Sequence, residues 1–414
     1  VDARRSLLAV VATTTALLLA ACTAAEAPTG ATGTPTAGST VTSSAAPTAA
    51  VTATNAPVFP PSAPAALDLP ETGLGAVGLA SPDGTVTVLG QTDPAPTAPV
   101  PIASITKVIT SLVVLDAHPL AAPADDGTPD QGPVITLGQA DLDVTAEVEA
   151  QGQFTEPMYA GQQVTLHDAL AITLLTSANN YAETAARWAF GSQEAYLAAA
   201  RTWLDAHGLT STTLADASGL NPGSASTPAD LLRIAALAHA NPALLAIAGQ
   251  SSMPQADLGT IANQNILLGE DGVDGLKTGS TSYAGFTLLT SAVVPVGTRS
   301  ATLVSVVLGT ESLDARFATT RALLASARAG LSEITLAERG QVFGSYTAAS
   351  GQVVEAVATD ARTAVVFAGA PVSASVTLSE RTSGAAGEVV GTAAFTLGAT
   401  HLEVPLALAA ALGG

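Results

Sequence analysis

Hydrophobic positions change their period along this chain. Between Ser104 and Leu115 the apolar residues Ile105, Val108, Ile109 and Leu112 fall on one helical stripe. Similar spacing predicts helices over 166–175, 181–190, 193–207 and 228–240. Their ends carry matching signals. Thr165 and Asp168 stand as a capping box, Gly208 stops the 193–207 helix, and Thr227-Pro228 supplies an N-cap followed by proline at the first helical position. Beyond Gly275 the period shortens. Strands are expected at 275–279, 284–294 and 300–309, then an amphipathic helix over 313–329. From about Arg339 onward the pattern is short strands, with the cleanest alternation in Val372–Leu378. Upstream, Gly75–Ala80 and Thr85–Leu89 flank Pro82-Asp83-Gly84, a hairpin signal, whereas the Pro/Asp/Gly-rich residues 119–140 predict an irregular excursion.

The first part of the chain follows different rules. Arg4 and Arg5 precede an uncharged run from Ser6 to Ala21, a length that suits a signal-peptide core and is short for a transmembrane helix. The run ends Leu19-Ala20-Ala21-Cys22, which resembles a bacterial lipobox. Residues 1–21 are therefore expected to be a lipoprotein signal peptide and Cys22 the lipid-attachment site. That would hold the protein outside the cytoplasm, on the outer face of the bacterial membrane. Residues 22–67 are mostly Ala, Thr, Pro, Gly and Ser with Glu26 as the only charge, and read as a disordered tether. Such a coil would reach roughly 35–40 Å. The remaining text divides into a main domain over 68–332 and an all-β domain over 338–412.

Charge narrows the function. Asp and Glu outnumber Lys and Arg by 34 to 14, for a net charge of −20, and that field repels phosphate backbones, so nucleic-acid binding through a basic footprint is excluded. A single cysteine excludes a disulfide framework or a zinc-thiolate site. His118, His167, His207, His239 and His401 show no HExxH spacing, and neither a metal nor a cofactor is expected. Of the 14 basic residues, only Lys107 and Lys277 are lysine. Lysine differs from arginine in that burial can strip its proton and make it a base.

Both lysines lie in short motifs that carry serine chemistry. In Ser104-Ile105-Thr106-Lys107 the serine and lysine are three apart, which places hydroxyl and amine on one helical face. A serine hydroxyl becomes a competent nucleophile when an adjacent base takes its proton. Ser177-Ala178-Asn179 follows the 166–175 helix, and Lys277-Thr278-Gly279 lies on a strand, where Gly279 is expected to leave room for a substrate backbone. The three occur in the order Ser-x-x-Lys, Ser-x-Asn, Lys-Thr-Gly, the set of penicillin-recognising serine enzymes.

Longer stretches narrow the resemblance. Asp216-Ala217-Ser218-Gly219-Leu220-Asn221-Pro222, Asn263-Gln264-Asn265-Ile266-Leu267-Leu268, Gly275–Thr281 and Val307-Leu308-Gly309 with Arg316-Phe317 resemble the low-molecular-mass D-alanyl-D-alanine carboxypeptidases, a penicillin-binding family. The similarity covers roughly residues 70–330. It implies an α+β fold: a β-lactamase/transpeptidase-like domain, with an antiparallel sheet flanked by helices, plus a small C-terminal all-β domain.

The resemblance also implies an activity: removal of the terminal D-alanine from peptidoglycan stem pentapeptides through an acyl-enzyme, a role in cell shape, and inhibition by β-lactams. Ser104 would be the nucleophile and Lys107 its base. Ser177 and Asn179 would pass the proton to the leaving D-alanine and hold the peptide, with Lys277 tuning the field. Thr278 and Arg316 would take the substrate carboxylate, Gly279 would line the substrate strand, and the Ser104 and Ser280 amides would form the oxyanion hole. Asn180 departs from the pattern, standing where many relatives have Asp. A class A β-lactamase would need a deacylating glutamate in an omega loop, whereas Glu183 and Glu194 fall in helical text.

Overall fold

The computed structural model describes residues 49–92, 98–398 and 400–413. The expected signal peptide, Cys22 and the first part of the expected tether lie outside the described residues.

The main domain is a five-stranded antiparallel sheet in the order Val273–Thr281, Gly285–Val296, Arg299–Thr310, Leu74–Ala80, Val86–Gln91. The helices, in chain order, are α1 (Thr106–Ala117), α2 (Gln139–Ala150), α3 (Leu166–Leu175), α4 (Asn179–Phe190), α5 (Gln193–Ala206), α6 (Pro228–Ala240), α7 (Pro242–Ala248) and α8 (Leu313–Ala329). Helix α3 is apolar over most of its surface, and Leu166, Ala169, Leu170, Ala171, Ile172, Leu174 and Leu175 are all buried. A helix this apolar belongs inside a protein, and α3 sits in the same core as α1, α4, α5 and α6. Its entry is fixed by Thr165, whose side chain accepts the Asp168 amide at 3.1 Å. Helix α8 covers the other face of the sheet, packing Phe317, Leu323 and Leu324 against Val77, Leu288 and Val307.

The C-terminal residues form a six-stranded antiparallel sheet with its own core around Phe343, Tyr346, Phe395 and Leu406. One edge of that sheet comes from an unexpected place. Val51–Thr54, read from composition as tether, pairs antiparallel with Val342–Thr347. Flanking bonds fasten it, from the Ala50 amide to the Arg381 carbonyl and from the Asn55 amide to the Phe343 carbonyl, both at 2.7 Å. The β-branched Val-Thr-Ala-Thr run suits a strand, and the open edge supplies a partner that composition does not reveal. Farther along, Ser62 accepts the Gly369 amide at 2.8 Å. The 49–67 stretch is thus tied to folded structure.

A second departure lies at 119–140. Val134–Thr136 pairs with Gln163–Thr165, and α2 starts at Gln139. In α2 only Thr145 and Val148 are buried, so its apolar stripe is too thin to announce a helix.

Candidate active site

The segment that presents Ser104 is a single 3-10 turn, Ala103–Ile105, leading directly into α1. Ala103 has φ 49°, in the left-handed region that a residue with a β-carbon rarely adopts. Two glycines make this turn possible. Gly219 packs so closely on the Ala103 carbonyl that any β-carbon there would collide with it, and its own φ is 85°. From the opposite side, a β-carbon on Gly279 would lie 2.9 Å from the Ser104 nitrogen, 3.2 Å from the Ala103 β-carbon and 2.5 Å from Thr287 Oγ1. The missing side chain lets the Val273–Thr281 strand close on the turn that presents Ser104.

At the second residue of α1, one turn beyond Ser104, Lys107 is fully buried. Its Nζ lies 2.9 Å from Ser104 Oγ, 2.7 Å from Asn179 Oδ1 and 2.6 Å from the Ser218 carbonyl. Three oxygen partners surround a nitrogen with four positions in all. A neutral amine in this cage donates its two hydrogens to Asn179 and Ser218, and its lone pair faces the Ser104 hydroxyl. Burial favours that neutral form and lowers the Lys107 pKa to about 7, against the opposing pull of Asp216 and Glu183. The geometry and the electrostatics agree: this amine can take a proton from Ser104.

The Ser218 carbonyl is held by a dense set of bonds. Asp216 accepts the Gly219 amide at 2.8 Å, the Asn221 amide at 2.7 Å and the Ser224 hydroxyl at 2.7 Å. Thr110 Oγ1, on α1, donates to the Ala217 carbonyl at 2.7 Å. The Ala217 amide in turn donates to Glu183 Oε1, on α4, at 3.1 Å. None of these groups was given a role by the sequence. Asp216–Pro222 stood out only as a stretch of resemblance, and a backbone acceptor leaves no residue type to notice.

Asn179 opens α4. Its Nδ2 donates to the Phe154 carbonyl at 2.8 Å, which turns Oδ1 toward Lys107. Asn180 is buried beside it; its Nδ2 donates to Thr145 Oγ1 at 3.1 Å and the Glu156 carbonyl at 2.7 Å, while its Oδ1 accepts the Glu156 amide at 3.2 Å. A carboxylate could not make the two donations. The departure to Asn at 180 therefore has a local cause. Ser177 stands at the turn between α3 and α4 with φ 70°.

Lys277 and Gly279 share a face of their strand, and Lys277 is buried with its pKa well below the ordinary lysine range, chiefly through burial and then through Lys107 and Arg316. Thr278 faces the other way and donates to Gln264 Oε1 at 3.3 Å. Gln264 also donates to the Thr176 carbonyl at 2.7 Å, so it bridges the lysine strand to the residue before Ser177. Asn263 and Asn265 bond backbone groups around that bridge, as turn builders. Ser280 is exposed. Arg316, on α8, is buried behind the strand, donates to the Gly279 carbonyl at 3.2 Å and stacks on Phe317 at 4.4 Å. Among the described residues it makes no ion pair. Burial lowers its pKa to about 10.

Residues 84–312, more than half of the chain, match the peptidase S11 family model, described as D-alanyl-D-alanine carboxypeptidase. The chain belongs to that family. Among individual members, D-alanyl-D-alanine carboxypeptidase DacC of Escherichia coli K12 is 32% identical over 226 residues, covering 54% of this chain and 54% of that protein. DacD of the same organism is 29% identical over 249 residues, covering 58% of this chain and 60% of that protein. The chain thus spans between half and two thirds of the length of these curated family members. Penicillin binding protein 5 from Haemophilus influenzae aligns with a TM-score of 0.57 and 21% identity, over 86% of this chain and 100% of that one. A peptidoglycan synthesis regulatory factor (PBP3) from Streptococcus pneumoniae aligns at 0.60 and 23%, over 84% and 100%. The α+β fold expected from the family is the fold observed.

Proposed function

We propose that this family member is a serine D-alanyl-D-alanine carboxypeptidase that removes the terminal D-alanine from peptidoglycan stem pentapeptides. The observation that carries the proposal is the Lys107 amine, caged by Ser104, Asn179 and the Ser218 carbonyl at 2.6–2.9 Å. Lys107 takes the Ser104 proton as Oγ attacks the carbonyl carbon of the penultimate D-alanine. The developing oxyanion is received by the Ser104 and Ser280 amides, each such donor being worth about 10²–10³ in rate. The C–N bond then breaks, and the leaving D-alanine amine takes a proton relayed through Ser177. Water hydrolyses the resulting ester on Ser104. Lys277 tunes the field at the Lys107 amine, Thr278 and Arg316 receive the substrate's terminal carboxylate, and Asn179 holds the peptide while orienting Lys107.

β-Lactams, which present a strained amide to the same serine, are expected to acylate it and inhibit the enzyme. The lipobox-like Leu19–Cys22 run supports a lipid anchor at Cys22 and a location outside the cytoplasm, and trimming of stem peptides there would give the protein a role in cell shape. The test is mass spectrometry of muropeptides incubated with the purified protein. Loss of one alanine from pentapeptides is expected, and unaltered pentapeptides would refute the reading.

A further inference from the structure

We propose that Glu183 is a positioning residue of the acylation step, holding the Ser218 carbonyl against the Lys107 amine through the Ala217 amide. The inference rests on the carboxypeptidase reading above and adds a part to that site.

The Lys107 amine needs partners that are held in place. Lys107 reaches three oxygen partners, and the shortest contact, 2.6 Å, is to a backbone carbonyl in a loop with no regular structure. A loop carbonyl orients an amine only if the peptide units on both sides are fixed. On the C-terminal side Asp216 accepts the Gly219 and Asn221 amides. On the N-terminal side the Ala217 carbonyl is held by Thr110 and the Ala217 amide by Glu183 Oε1 at 3.1 Å. Glu183 therefore ties this loop to α4, the helix that also supplies Asn179. Both acceptors of the Lys107 amine are set by one rigid element, which keeps the cage from spreading.

A carboxylate at this place also has an electrostatic consequence. The charged and titratable groups facing Lys107 are Asp216 from its loop, Glu183 from α4 and Lys277 from the lysine strand, with Tyr196 of α5 reaching the same region through Thr110. Glu183 is pushed above the ordinary carboxylate range, first by burial and then by Asp216, while the Ser218 and Ala217 bonds and Lys107 oppose that shift. It also lines a cleft of about 560 Å³ shared with Asp216, Ser218, Asn221 and Tyr283, so protons can reach it. Its negative charge favours the ammonium form of Lys107. Glutamine keeps the carbonyl acceptor for Ala217 and loses the charge; alanine loses both.

The experiment measures the second-order rate of Ser104 acylation by a fluorescent penicillin from pH 5 to 9 in the full protein, for wild type, Glu183→Gln and Glu183→Ala, with circular dichroism of each variant. Glu183→Gln is expected to move the acid limb to lower pH by roughly 0.5 unit or more. Glu183→Ala is expected to lower the plateau about tenfold or more, with native dichroism retained, and Glu183→Gln to restore most of that loss. Profiles of both variants that superimpose on wild type would overturn the proposal and leave the carboxypeptidase reading standing. Equal losses in both variants with no shift of the limb would likewise overturn it. A wild-type protein that is never acylated would overturn both readings.

Discussion

Gly279 and Ser104 meet with no space between them: a β-carbon on the glycine would lie 2.9 Å from the serine nitrogen. The strand and the Ser104 turn are therefore positioned by direct contact. Gly279→Ala must push them apart, because Thr287 and Ala103 close the other directions. We expect acylation by a penicillin to slow by about 10²-fold or more, the cost of a small misplacement at a reacting centre. Stopped-flow acylation, with a urea melt to confirm folding, checks this; an unimpaired rate would mean the contact is incidental.

The Lys107 amine sets a pH profile. Only its neutral form can take the Ser104 proton, and its pKa is lowered to about 7. Below that value the neutral fraction falls tenfold per pH unit, and above it the fraction levels off. The kcat/KM for a D-Ala-D-Ala peptide should accordingly rise with pH to a bend near 7. A profile flat from pH 5 to 9 would remove Lys107 as the base.

Asn180 predicts a stability effect separable from chemistry. Its amide donates to Thr145 and Glu156, and an aspartate there would face the Glu156 carbonyl with like partial charge. Asn180→Asp should cost about 1–3 kcal/mol in urea unfolding, the penalty of a buried acceptor left without its donor. An unchanged midpoint would show that the surrounding loop readjusts.

Arg316 is a buried guanidinium without an ion pair among the described residues. If it receives the substrate carboxylate, Arg316→Ala should raise KM for D-Ala-D-Ala peptides roughly 10–100-fold, the worth of one charged hydrogen bond. A lost fold with unchanged KM in the surviving fraction would make it purely a support for the Gly279 carbonyl.

What the sequence made legible follows from what each residue must do alone. Ser104, Lys107 and Asn179 announce themselves because the roles proposed for them lie in their side chains, and α3 and α6 because dense apolar spacing and caps agree. The Ser218 carbonyl stayed hidden, since any residue offers one, and with it Glu183, which acts through an amide 34 positions away. Helix α2 buries too few residues to leave a stripe. Val51–Thr54 is a strand because Val342–Thr347 offers it an edge, a reason that lies elsewhere in the chain.

Whether Lys107 activates Ser104 is decided by peptide mass mapping after brief exposure to a penicillin, comparing wild type with Lys107→Arg. A penicilloyl adduct on the peptide containing Ser104 in the wild type, and none in the arginine variant at the same time point, is the predicted result. An adduct on a different residue, or equal labelling of the two proteins, would contradict it.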